Sequence, residues 1–155
     1  MEASKKEGGV MGTTVSNFTL ISRRSELENA TEQAIERALQ AVGIEAQRNV
    51  SMKAPVDTGR LAASITYATR RRQGEVDRTY YNQEKARQRN NLLKSDDYRK
   101  KAEPEEHTVV IGTNVEYAKT REYASDKDAH FIRRGLQNHT NSYKRIFADI
   151  LKELE

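Results

Sequence analysis

The chain of 155 residues has no cysteine, no tryptophan, only two prolines and only three phenylalanines. Without cysteine there is neither a disulfide framework nor thiolate chemistry, which fits assembly in a reducing cytosol. With so few large aromatics the core must rest on Leu, Ile, Val, Ala and Tyr, and 35% hydrophobic against 32% charged residues makes it thin. Partner subunits can supply burial that such a core lacks. No apolar run of about 18 residues occurs, so no membrane-spanning helix is expected. The start, Met1-Glu2-Ala3-Ser4-Lys5-Lys6-Glu7-Gly8-Gly9, has charges but no apolar stretch behind them, unlike a signal peptide. The glycine loops that cradle nucleotide phosphates are missing too, so no cofactor is expected. His107, His130 and His139 show no ligand spacing and no HExxH pattern, so no metal site is expected either.

What is present is unevenly distributed. Between Arg70 and Lys101 lie eleven Lys/Arg against five Asp/Glu, while the rest of the chain has 16 basic and 18 acidic residues. The net charge of +4 therefore sits in one segment.

Residues 1–16, with Gly8, Gly9 and Gly12, read as a mobile arm preceding a single domain over 17–155. Asn17 to Ser22 is β-branched and aromatic, which predicts a short strand. Ser25, with Glu28 three residues on, forms a capping-box pattern. From there Leu27, Ala30, Ala34, Ala38, Val42, Ala46 and Val50 recur at helical spacing to about Met52, flanked by Ile35 and Leu39. Pro55 ends this helix, because proline disfavours helical geometry in the residue before it. Gly59 supplies a corner, and Leu61 to Tyr67 is a second short element.

Residues 68–106 read as a basic charged insertion between core elements, partly helical and partly mobile, closed off by Pro104. Removal of Arg72–Lys101 is expected to leave the fold intact. Order returns at His107–Asn114, a β-branched strand ended by Gly112. Val115 to Ala118 either continues the sheet or turns away from it. Ile132, Leu136, Tyr143, Ile146, Phe147, Ile150, Leu151 and Leu154 predict one C-terminal helix starting near Asp128. The class is α+β: long N-terminal and C-terminal helices packed on a small antiparallel sheet.

Two segments hold candidate chemistry. Asp57-Thr58-Gly59 is the tripeptide of aspartic-protease half-sites, where two carboxylates share one proton. A long alanine-rich helix and Pro55 precede it, however, where such a site needs a strand, and Arg60 would favour ionisation of both carboxylates. The structural reading is a corner. Asp57 or Thr58 caps the next element, Gly59 takes a conformation closed to other residues, and Arg60 points outward or pairs locally. In the basic segment Arg70, Arg71, Arg72, Arg78, Lys85, Arg87 and Arg89 could neutralise phosphates while Tyr80 and Tyr81 stack on bases. The interleaved acids fit a protein-docking or solvated face instead.

The order of these motifs resembles the small neck proteins of long-tailed bacteriophages, the head–tail joining or tail-completion proteins. The resemblance rests on Ala54, Pro55, Asp57, Thr58, Gly59, Arg60, Leu61, Ser64 and Ile65 after a long helix. It continues with Val110, Ile111 and Gly112, then Tyr117-Ala118, Glu122-Tyr123, and Phe131-Ile132-Arg133 leading into Leu136. It covers about residues 25 to 67 and 107 to 155. Ala124-Ser125 stands where the family has Gly, often Gly-Thr, and His130 stands where it has Pro. The insertion is longer than the family leads one to expect.

The resemblance implies a structural virion protein without enzymatic activity, assembled in the host cytoplasm. It would form a homo-oligomeric ring, a hexamer matching a tail tube, between the head connector or stopper and the tail terminator or tail-tube proteins, near packaged DNA. Removal of Arg72–Lys101 is then expected to impair joining of heads to tails. The alternatives are a tail terminator or another neck component and, from a different class, a basic nucleic-acid-binding module.

Overall fold

The computed structural model describes residues 17–21, 32–101, 103–125 and 129–153. The expected arm over 1–16, the Ser25–Glu28 capping box, and the helix ends at Asp128 and Leu154 lie outside the described residues.

Three strands form one antiparallel sheet in the order β1-β3-β2: β1 (Asn17–Ile21), β2 (Thr66–Ala68) and β3 (Thr108–Gly112). Phe18 is opposite Ile111 in β3, and Tyr67 of β2 meets Ile111 from the other side. Side chains alternate across β3, so Val109 and Ile111 enter the core with Tyr67. The opposite face of β2 and β3, at Thr66, Ala68, Val110 and Gly112, is overlaid by the 97–104 segment.

Helix α1 (Glu32–Lys53) lies along the inner face of the sheet, and its stripe of Ile35, Leu39, Val42, Ala46 and Val50 is buried there. The small residues of that stripe let neighbours come close. Gly135 lies so near that a Cβ there would stand 2.7 Å from the Val50 Cα. Helix α1 stops before Pro55, and the chain turns at Gly59 into α2 (Arg60–Ser64) and then β2.

Residues 70–106 contain two 3-10 turns (Arg78–Tyr80 and Ser95–Asp97) around α3 (Gln83–Gln88). This segment is more than solvated loop: Ala86 and Asp97 are buried. After β3 the chain turns into α4 (Ala118–Glu122) and does not extend the sheet.

The expected single C-terminal helix is two helices, α5 (Phe131–Gln137) and α6 (Thr140–Lys152). The physical reason lies in the six residues from Gln137 to Ser142, which carry no apolar side chain to hold a continuous stripe. The break lets Tyr143 fold back. Its hydroxyl donates to the Gly135 carbonyl at 2.9 Å and accepts from Asn49 on α1 at 3.0 Å.

Candidate functional site

The corner after α1 carries a dense set of hydrogen bonds, centred on Thr58 and Arg60. Gly59 has φ +84°, a left-handed backbone that side chains disfavour, and a Cβ there would stand 1.6 Å from the Tyr80 carbonyl oxygen. The chain from the basic segment is thus seated directly on the corner, and the Asn82 amide donates to the Thr58 carbonyl at 2.8 Å. Thr58 is buried, and its hydroxyl accepts from the Arg60 amide and from Asn91 Nδ2.

Arg60 neither points outward nor pairs locally, which corrects the sequence expectation. Its side chain is 4% exposed and meets Asp97, 5% exposed, in a fork of two 2.9 Å hydrogen bonds. A second fork reaches Glu116 at 2.9 and 2.8 Å, and Nη1 also donates to Asn91 Oδ1 at 2.8 Å. A guanidinium has five N–H donors, and all five are used. Burial alone would have expelled the charge; two carboxylates hold it. The Asp97 hydrogen bonds, against the cost of burial, raise the Arg60 pKa further, while the hydrogen bond from Arg60 holds the Glu116 carboxyl below its ordinary range. The Tyr117 ring lies 5.7 Å from the guanidinium carbon, and its hydroxyl accepts from Asn91.

Asp57 lies outside this network. Exposed, it faces Lys85 Nζ at 3.0 Å and Arg89 Nη1 at 2.9 Å, and the hydrogen bond from Lys85 is the main cause that lowers its pKa. Thr58 therefore holds the start of α2, while Asp57 ties the corner to α3. A cleft of about 300 Å³ opens beside the joint, lined in part by Asp57, Arg60 and Tyr117. The Arg60 donors that line it are already taken.

The structure brings Thr58, Arg60 and Tyr117 into one site and places Leu61 in the core beneath it. Gly112 ends β3, and Pro55 follows α1. Glu122 and Phe131 belong to a second joint. Buried Glu122 accepts from the Ile132 amide at 2.9 Å and the Arg133 amide at 3.3 Å, capping α5 from 10 and 11 residues upstream in the chain, where no side-chain cap is present at His130 itself. His130 takes φ +60° at the position the resemblance assigns to proline.

The proposed polyanion-contact residues separate. Arg70, Arg71, Arg72, Arg78, Arg87 and Arg89 are exposed, and Arg89 is paired with Asp57. Tyr80 packs against the core, so its ring is not a free stacking platform, and the Tyr81 hydroxyl accepts from the Leu93 amide. Sequence reading missed Asn91, Asp97 and Glu116, and no local signal marks them. It also missed a cluster at the far end of the sheet, where ligand atoms of Glu32, Glu106 and His107 lie within 4.8 Å of one another. His107 Nε2 is 3.1 Å from Glu32, and the pair is an ion pair when the imidazole is protonated.

No curated protein and no solved structure matches this chain. A family model does, described as "Bacteriophage HK97-gp10, putative tail-component", over residues 18–123. The matched span runs from β1 through the whole Arg60 joint to Tyr123, and by it the chain belongs to the HK97-gp10-like family of phage tail components.

Proposed function

We propose that this tail component is a structural, non-catalytic ring protein of the phage neck, which completes the tail and joins it to the head connector. Family membership over residues 18–123 carries the reading. Its place is the virion, after assembly in the host cytoplasm, with a connector or stopper ring on one side and tail terminator or tail-tube subunits on the other.

The surface supplies a contact for a neighbouring subunit. Ile44 and Met52, on the side of α1 turned from the core, and Val56 just beyond it are each exposed. Large apolar side chains spaced along one exposed helix face are material for a subunit interface. Six subunits matching a tail tube is the stoichiometry the reading takes.

The test is a phage lacking this gene. It is expected to yield filled heads and full-length tails that remain separate and join when the wild-type protein is added. Joined, infectious particles from the mutant overturn the proposal, and tails of uncontrolled length would make the protein a tail terminator. In vitro, Ile44→Glu with Met52→Glu is expected to abolish ring formation in sedimentation without changing the monomer's melting curve.

A further inference from the structure

Two basic triplets 29 positions apart in the chain, Arg70-Arg71-Arg72 and Arg99-Lys100-Lys101, are neighbours in space. The Lys100 ammonium donates to the Thr69 carbonyl at 3.1 Å and the Arg70 carbonyl at 3.4 Å, and Gln73 donates to the Tyr98 carbonyl. The first triplet sits on a fixed turn. The Thr69 amide donates to the Arg72 carbonyl at 2.7 Å, and the Thr69 hydroxyl accepts from the Arg72 amide. That turn leans on α1, with Thr69 bonded to Glu36 and Arg72 to Gln40.

The acids of this region are partly engaged. Asp96 faces Arg99 at 3.3 Å and Glu103 faces Lys100 at 2.9 Å. Glu36 accepts from the Thr69 hydroxyl and from Gln40, and Glu75 is exposed nearby. Arg70, Arg71, Arg72 and Lys101 remain exposed, with no acidic partner among the described residues.

We infer that the Arg70–Arg72 turn and the Arg99–Lys101 segment form one docking surface for the phosphate backbone of duplex DNA. Two features select this partner. The exposed large apolar side chains, Ile44, Met52, Val56, Leu92 and Tyr123, all lie outside the patch, so it lacks the apolar centre of a protein interface. No exposed aromatic belongs to it, so base stacking, the main device for single strands, is missing. Arginines on a preformed turn suit phosphate, which they contact with planar forks at little ordering cost. The surface differs from the run read in the sequence: Arg89 is paired with Asp57, Tyr80 packs against the core, and Lys101 joins the three arginines. It does not rest on the neck assignment, because it is read with the isolated protein.

The test is fluorescence anisotropy of the full chain with a labelled duplex of random sequence. With about four phosphates neutralised, affinity should fall about a hundredfold between 50 and 200 mM salt. Replacing Arg70, Arg71, Arg72 and Lys101 together by Gln is expected to weaken binding at least tenfold in low salt. A second variant with Arg87, Arg133, Lys144 and Arg145 replaced by Gln removes the same charge elsewhere and should change binding far less. Equal losses from both variants, or none from the first, overturn the inference. So does tighter binding to a single strand of equal length, or competition by polyglutamate as effective as by unlabelled duplex. Matching circular dichroism spectra show that both variants are folded.

Discussion

Arg60→Ala is the sharpest perturbation of this structure. It deletes a cation whose five donors serve Asp97, Glu116 and Asn91, and leaves the 5%-exposed Asp97 carboxylate with one amide donor, from Lys94. Breaking a buried pair from one side costs about 3–5 kcal/mol. A domain of this size loses roughly 3 °C of melting temperature per kcal/mol, so a drop of about 10–15 °C is expected. Arg60→Lys keeps the charge but offers three donors, and should fall in between. Glu116, whose side chain is 68% exposed, is worth much less: Glu116→Gln should cost about 1 kcal/mol or less after solvent screening. Arg60→Met with Asp97→Leu should recover most of the loss, because an apolar pair needs no compensation. The assay is thermal unfolding followed at 222 nm, with exposed Arg89→Ala as reference. If Arg60→Ala melts within about 2 °C of Arg89→Ala, the buried joint is not where the stability lies.

Gly59→Ala forces a side chain into the left-handed region and against the Tyr80 carbonyl. It should cost at least about 3 kcal/mol in urea unfolding, and an unchanged midpoint refutes the packing described. Glu122→Ala leaves the Ile132 and Arg133 amides without their acceptor, so a loss of about 1–3 kcal/mol is expected, with faster hydrogen exchange at those two amides. Arg60 depresses the Glu116 pKa below its ordinary 4.5, so on acidification the unfolded chain takes up the proton first. The Glu116 contribution is therefore complete above that pH and lost as the pH falls through the lower folded value; Glu116→Gln should flatten this part of the acid-side stability curve, and an unaltered curve counts against the pairing.

The elements governed by local chemistry were legible in the sequence. The period of Ala34, Ala38, Val42, Ala46 and Val50 announced α1, Pro55 and Gly59 announced its end, and Val109 to Ile111 announced β3. The break between α5 and α6 was missed because the flanking apolar residues keep helical phase across a polar gap. Arg60 was misread for a different reason. An arginine beside a turn is solvated unless the chain brings acids to it, and these come from 37 and 56 residues away. The same distance hid the role of the basic segment. Its composition reads as solvated, yet it carries the buried carboxylate of the joint, so removing Arg72–Lys101 would strip Arg60 of Asp97 and cannot be neutral for the fold.

The order in which the chain leaves the ribosome gives the Arg60 joint a kinetic meaning. Arg60 is made first, Asp97 follows 37 residues later and Glu116 56 residues later. At about 5–20 residues per second the guanidinium waits several seconds for its full set of acceptors. Until then the Arg60 side chain lacks its carboxylates, and α1 cannot dock finally on a sheet whose central strand is also still to come. The joint can therefore close only after both acids have been made, late in the synthesis of the domain.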